Sequence, residues 1–446
     1  GVTAFLLSSL FYFAFWQKSC NATHQDDICG TSNGRRLYLE LGERGVLTAI
    51  NITLSHGNRP QQTTSTGNLS SHEQCSLELV TCPACIISIT FHHLALPHHC
   101  GGGNMLMDSP CRCDYVWLAE PPFEDESGVP FCGLLAPTSS AGSLPLRYRS
   151  QTRSLAITLL YSESHKHAFS LEYTAERNRQ IIKGSPGGGM VVSPSSNMSH
   201  SGILTSPFFP AQYPRDLGIE YVITCQSDNN STCRVRIVFR DFQIATASIM
   251  EFYDWNGHRL DVSSGALFRP PVILTTGPSM LVRFYANGGS GLGFKAIYSF
   301  ITENIQDSAV IPITDCGGNV ENMGGAITMM NMVETGAKTY DCVWLIRPPK
   351  NYLHLRTHLY LKVATFRDMA GSTELQVLQG LTSEQPVLDT FRYPAALIQS
   401  SRHREHVVPV NVGFYVSLRG TFGPISRLAI VYTAFSYMGN VLNIIN

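Results

Sequence analysis

LAITLLYSESHKHAFSLEY, residues Leu155 to Tyr173, holds an alternating strand, a polar turn, and an aromatic residue leading a second strand that ends in Tyr. The same plan returns as MLVRFYANGGSGLGFKAIY from Met280 to Tyr298. It returns again, with a longer turn, as VGFYVSLRGTFGPISRLAIVY from Val412 to Tyr432. A second piece also recurs, a hairpin whose turn is flanked by two cysteines: ELVTC-PA-CIISITF around Cys82 and Cys85, and YVITC-QSDNNST-CRVRIVF around Cys225 and Cys233. Recurrence on this scale marks a repeated structural unit. Other short β-branched runs, such as Ile86 to Phe91, Leu353 to Val363 and Leu428 to Thr433, alternate with period two, and long helical periodicity is absent. The expected fold is therefore all-β, with three tandem antiparallel β-sandwich domains.

Length agrees with that count. A chain of 446 residues is too long for one ordinary core and suggests roughly three domains. Ile182 to Ser201 (IKGSPGGGMVVSPSSNMSHS) is rich in Gly, Pro and Ser and reads as a linker, and a shorter boundary falls near Thr302 to Asp315. The expected division is a first domain over residues 29–175, a linker over 176–200, a second domain over 201–300, a linker over 301–315 and a third domain over 316–435.

Charged residues make up only 15% of the chain, against about 25% in an average soluble protein, so Ser, Thr, Asn and Gly carry much of the surface. With 32 basic and 33 acidic side chains, no net field steers the protein toward phosphate backbones or anionic lipid. Nucleic acid is thereby excluded as an expected partner.

Residues Ala4 to Trp16 form an apolar run of signal-peptide length, too short to span a membrane, and residues 1–20 are read as part of a secretion signal. Cleavage after Cys20 would reduce thirteen cysteines to an even twelve. N-glycan acceptor sequons stand at Asn21, Asn51, Asn68, Asn197, Asn229 and Asn230, the last two overlapping. Leader, cysteines and sequons together point to an oxidising, extracellular location. The chain reaches Asn446 without a spanning segment, so membrane attachment would come from sequence beyond it.

Cys316-Gly317-Gly318, Cys342-Val343-Trp344 and Phe131-Cys132-Gly133, with the stretches quoted next, resemble motifs of the CUB domain, an extracellular β-sandwich module. Cys316-Gly317-Gly318 is followed by Cys342-Val343-Trp344 and Pro348-Pro349. Gly202-Ile203-Leu204-Thr205-Ser206-Pro207 precedes Tyr213-Pro214, and that unit closes with Gly293-Phe294-Lys295-Ala296-Ile297-Tyr298. Its Glu251-Phe252-Tyr253-Asp254-Trp255-Asn256-Gly257 is similar to the family's L-E-I-Y-D-G strand. The first unit carries Cys29-Gly30, Cys111-Arg112-Cys113-Asp114-Tyr115 and Phe131-Cys132-Gly133.

The resemblance implies bridges from Cys29 to Cys75, Cys111 to Cys132 and Cys316 to Cys342, and the repeated hairpin adds Cys82 to Cys85 and Cys225 to Cys233. Cys100 and Cys113 then remain for each other, with an exchange of partners between Cys111 and Cys113 left open. The second unit lacks both family bridges and the third lacks the second one. On the chain-entropy account, closing the long loop between Cys29 and Cys75 constrains the unfolded chain by about 4 kcal/mol, against about 2 for the Cys82–Cys85 hairpin.

Many CUB domains hold calcium through one Glu and two Asp. In the first unit Asp114 matches the first Asp, Glu163 stands where the second is usual, and the Glu position falls at Pro97, which makes Asp114 and Glu163 the candidate calcium ligands. The matching positions in the second unit are Ala245, Ser248 and Asn287, and in the third Ser372 replaces the Asp, so those two units are expected to be calcium-free. His92, His93, His98 and His99 beside Cys100 suggest zinc, but adjacent histidines on a strand face opposite ways and this cysteine is expected to be oxidised. Gly30-Thr31-Ser32-Asn33-Gly34 fits a hydrolase nucleophile pattern without the strand, turn and helix that chemistry needs.

No constellation for catalysis is found, and no small-molecule substrate is expected. The resemblance implies non-catalytic recognition of an extracellular protein or receptor ectodomain, as in a co-receptor, a receptor-associated auxiliary protein or a matrix adaptor. Two alternatives are the non-catalytic region of a secreted protease and a structural matrix protein.

Overall fold

The computed structural model describes residues 24–54, 72–97, 111–135, 146–185, 201–227, 232–302, 311–330, 336–394 and 405–436. The expected signal over residues 1–20 lies outside these ranges. So do Cys100, His98, His99 and the sequon residues Asn21, Asn68, Asn197, Asn229 and Asn230.

Among the described residues the strands form six sheets, which fall into three pairs along the chain. Each pair repeats one strand order. In the first, one sheet runs Arg44–Ile52, His165–Arg177, Cys85–Leu96, and the other runs Arg35–Tyr38, Glu73–Val80, Ser154–Tyr161, Tyr115–Ala119, Val129–Phe131. The second pair matches it with Ser201–Thr205, Gly293–Thr302, Cys233–Gln243 in one sheet. Its other sheet is Arg179–Gly184, Gly218–Cys225, Ser279–Tyr285, Ile249–Asp254, Arg259–Ser264. The third runs Gly324–Met330, Arg427–Phe435, His358–Arg367, and Gly317–Val320, Lys338–Ile346, Phe414–Phe422, Thr373–Gln379, Val387–Tyr393.

Period-two alternation explains why these segments pair into layers. Ser154–Tyr161 and Gly218–Cys225 alternate strictly or nearly so between buried and half-buried positions, so each sheet has one apolar face. In the first sandwich Leu47, Phe91 and Leu171 of one sheet and Leu77, Val116 and Ile157 of the other share a single core. The third buries Trp344, Leu375 and Phe414 against Leu361, Phe366 and Ile430 in the same way.

The second sandwich, which lacks both family bridges, is filled by rings. Phe294 lies 5.1 Å from Phe284, 6.2 Å from Tyr221 and 6.4 Å from Phe239, and Tyr213 packs edge-on against Phe284 at 5.2 Å. Edge-to-face aromatic pairs contribute about 0.5–1.5 kcal/mol each beyond their buried area, which offsets part of the missing covalent constraint.

The closing tyrosines of the sequence repeat have a shared structural role. Tyr173 stands directly across from Gly45, Tyr298 from Gly202 and Tyr432 from Gly325. In the first two pairs the ring lies over the bare glycine so closely that any Cβ would collide with it, and in the third the phenol oxygen would meet it at 2.8 Å. An aromatic laid over a cross-strand glycine covers backbone that would otherwise be bare.

Among the described residues five cysteine pairs are bonded to each other: Cys29–Cys75, Cys82–Cys85, Cys111–Cys132, Cys225–Cys233 and Cys316–Cys342. Cys113 is also disulfide-bonded.

The stretch expected as a linker over 176–200 is structured at its start. The last strand of the first sandwich ends at Arg177, and Arg179–Gly184 is already a strand of the second, the counterpart of Arg35–Tyr38 and Gly317–Val320. The Gly, Pro and Ser run therefore falls between the first two strands of the second sandwich and not between sandwiches. By compactness the chain parts into two units, residues 1–179 with 217–219, and residues 180–216 with 220–446, so the second and third sandwiches share a unit.

Candidate functional site

In the first sandwich the strand Tyr115–Ala119 begins just after Asp114, and the turn after Ser154–Tyr161 brings Ser162 to His165 against it. The buried Asp114 carboxylate accepts at Oδ1 from Ser162 N and Oγ, both at 2.7 Å, and at Oδ2 from Glu163 N at 3.3 Å, with His165 Nε2 also 2.5 Å from Oδ2. Burial pushes the Asp114 pKa up, but the donors from His165, Ser162 and Glu163 outweigh it and leave the carboxyl below its ordinary value.

This donor set does not fit calcium. A hard cation takes about six to eight oxygen ligands. Here the one buried carboxylate is occupied by N–H and O–H donors, His165 sits against it, and the Glu163 side chain is exposed. Glu163 contributes its backbone N–H to Asp114, so the two candidate ligands meet as a donor and acceptor pair and do not converge on an ion.

The corresponding loops of the second and third sandwiches are closed by neutral groups. Tyr213 Oη lies 3.0 Å from Ser248 Oγ and accepts from Ala245 N at 2.7 Å; Ser248 Oγ donates to Ala286 O at 2.8 Å, and Asn287 Nδ2 to Ala247 O at 3.0 Å. In the third, Ser426 Oγ donates to Asp368 O at 2.5 Å and accepts from Gly423 N at 2.8 Å. Both loop sets are held in one geometry by side-chain hydrogen bonds to backbone.

His92 and His93 do diverge along their strand. His92 Nε2 faces Glu172 at 3.2 Å, whereas His93 stacks on His167 with ring centroids 4.0 Å apart. Among the described residues no group of three or more His, Cys, Asp or Glu is arranged to hold a metal.

Sequence reasoning missed two features of the second unit. One is a buried charge cluster where the second and third sandwiches meet. Asp341 accepts from Arg240 Nη1 at 2.9 Å and from Arg269 Nη1 at 3.0 Å. Arg269 also donates to the carbonyls of Phe239, Thr314 and Asp341. Around this cluster Tyr415 Oη donates to Arg240 O at 2.6 Å, Gln243 Nε2 to Leu381 O at 2.6 Å, and Ser383 bonds Asp241 through both N and Oγ. Phe268 packs on Val343, Leu345, Leu378 and Tyr415, and Lys295 pairs with Glu384 at 2.5 Å at the rim.

The other feature is Trp255, in the turn Asp254-Trp255-Asn256-Gly257, where the family pattern has only Asp and Gly. Its side chain is exposed, with 57% of the residue open to solvent, yet it is fixed: Gly277 packs under the ring and Nε1 donates to Thr276 Oγ1 at 3.3 Å. Asp254 holds the turn from below, accepting from Trp255 N at 2.9 Å, Thr276 N at 3.1 Å and Thr276 Oγ1 at 2.5 Å. Asp254 is depressed below its ordinary pKa: burial opposes the shift, but the bonds from Thr276 and Trp255 outweigh it. An aromatic residue in a turn that needs only polar or glycine residues was the available signal.

Two-layer sandwiches of this strand order, stapled near their start by Cys29–Cys75 or Cys316–Cys342, define a class, that of β-sandwich modules like those of CUB domains. Its sequence is 25% identical over 178 residues to Neuropilin and tolloid-like protein 1 of Mus musculus. The match covers 35% of this chain and 32% of that protein, and it supports the resemblance to CUB-domain proteins. The chain thus matches about one third of the length of that curated relative. No family model matches.

Two solved structures to which the chain shows similarity are the CUB1-EGF-CUB2 domains of rat MASP-1 and the full extracellular region of zebrafish Gpr126/Adgrg6. The first is 14% identical, covering 57% of this chain and 100% of that one, with a TM-score of 0.22. The second is 12% identical, covering 90% of this chain and 53% of that one, also with a TM-score of 0.22. The disulfides fit an extracellular protein. No helix among the described residues is long and apolar enough to cross a membrane.

Proposed function

We propose that the chain is a non-catalytic recognition region of an extracellular protein, built of three tandem CUB modules that bind a protein partner, in the manner of a co-receptor or receptor-associated auxiliary protein. The observation that carries this reading is Trp255, a large aromatic side chain held rigidly in the open by a buried aspartate and a glycine platform. Rigid exposed Trp residues lose little entropy on binding and are the commonest anchors of protein interfaces. The neutral loop locks at Tyr213, Ser248 and Asn287 support a surface that needs no metal to hold its shape. A second and third module in one unit offer several contact points at fixed spacing, which raises affinity through effective concentration.

The test is capture of membrane proteins by the secreted chain, identified by mass spectrometry and repeated with a chelator and with Trp255→Ala. The expected result is a partner retained in chelator and weakened at least about 30-fold by the substitution, corresponding to a hot-spot loss of about 2 kcal/mol. A partner held equally by the variant, or released by chelator, defeats the reading.

A further inference from the structure

We infer that Asn51 carries an N-linked glycan that lies along an open strand edge of the first sandwich and over the polar groove beside it. Asn51-Ile52-Thr53 ends the strand Arg44–Ile52. Ile52 is buried while Asn51 and Thr53 on either side are exposed, so both polar residues of the sequon are open to solvent. Asn51 also has φ +54°, a left-handed conformation, and the register slips between His167 and Phe169 of the facing strand. Asparagine tolerates that conformation better than most residues, and it stands beside an irregularity in the ladder.

Two further observations say what a glycan would do there. The flanking parallel strand His24–Asp27 covers only Gly45 to Thr48, so among the described residues Ala49 to Ile52 have no strand on that side. Open edges invite pairing with another chain, and proteins cover them. Past the end of that flanking strand lies a groove of about 390 Å³ whose wall includes Asn51 itself, with Asp27, Asn33, Glu73, Gln74 and Tyr161. Carboxylate and amide groups of this kind suit the hydroxyls of a sugar.

The covalent step joins Asn51 Nδ2 to the anomeric carbon of an oligosaccharide carried on a lipid diphosphate. The bond from that carbon to the phosphate oxygen breaks, the diphosphate leaves with the electron pair, and the amide nitrogen gives up one proton to base.

The inference rests on the extracellular reading, and the experiment separates the two. The chain is secreted from glycosylating eukaryotic cells and treated with peptide N-glycosidase in ¹⁸O water, which turns each released Asn into labelled Asp. Peptide mapping is expected to show the label at Asn51, and Asn51→Gln and Thr53→Ala are each expected to lose that label alone. Thr53→Ala keeps the asparagine, so it serves if the first variant fails to fold. Amide exchange over Ala49 to Ile52 is expected to quicken once the glycan is released. Secreted protein with other sequons labelled and Asn51 bare overturns the inference, and unchanged exchange overturns the covering role. A chain with no sequon labelled and its cysteines reduced defeats the extracellular reading itself.

Discussion

Arg269 donates from Nη1 to Asp341 Oδ1 at 3.0 Å and from Nη2 to the carbonyl of the same residue, tying the second sandwich to the third through one side chain. Both side chains are nearly inaccessible, 5% and 6% exposed, so neither charge has water to fall back on. Removing one partner of a buried pair strands the other, at a cost of about 3–5 kcal/mol. Asp341→Ala is therefore expected to lower the stability of the second unit by that amount in denaturant titration and to open the junction to protease. Arg269→Met is expected to cost more than Arg240→Met, because Arg269 also satisfies the carbonyls of Phe239 and Thr314.

Asp241 sets a pH dependence at the same junction. Burial drives its pKa up from 3.8 to about 6, against the opposing hydrogen bonds from Ser383 and the nearby Lys295. A carboxyl whose folded pKa lies above its unfolded one binds its proton more tightly when folded, so stability rises as pH falls from about 6 toward 3.8. The ionised group costs at most about 3 kcal/mol at neutral pH by the same linkage. Asp241→Asn is expected to raise the melting temperature at pH 7 and to flatten its slope across that window. A slope unchanged by the substitution would place the titration elsewhere.

Metal removal is expected to do nothing to the first sandwich. Asp114 already accepts from Ser162, Glu163 and His165, so melting curves in calcium and in chelator should superimpose. Asp114→Ala, in contrast, leaves the part-buried donors of Ser162 and His165 without their acceptor and should cost about 1–3 kcal/mol. A calcium-dependent rise in melting temperature would overturn this account of the loop.

The glycines under the closing tyrosines make a graded set. At Gly45 and Gly202 a methyl group would run into the ring of Tyr173 or Tyr298, whereas at Gly325 it would press only on the end of Tyr432. Gly45→Ala and Gly202→Ala are expected to destabilise by about 1–3 kcal/mol, as overpacking does, and Gly325→Ala by less. Chemical denaturation of the three variants gives the ranking.

Much of the architecture could be read from short-range pattern. Alternation marks Leu155 to Leu160 and Val235 to Phe239 as strands, and the repeated Tyr173, Tyr298 and Tyr432 mark equivalent ends of three units. What escaped reading has a physical reason in each case. Arg179–Gly184 is an edge strand with little buried alternation, and the Gly and Pro that follow it dominate the local composition. Asp341 pairs with arginines 101 and 72 residues earlier, and no local signal forecasts such a reach. Asp114 stood out as a carboxylate in a metal-binding pattern, but the donors that occupy it, Ser162 and His165, come from a turn about fifty residues on.

The Tyr298–Gly202 register fastens the closing strand of its sandwich to an opening one, and Tyr432–Gly325 does the same in the third. Entry and exit of each repeat thereby become neighbours. A fold stitched shut at its own ends can be copied in tandem without rearranging its interior, which is how one small sandwich comes to be strung several times along a single polypeptide.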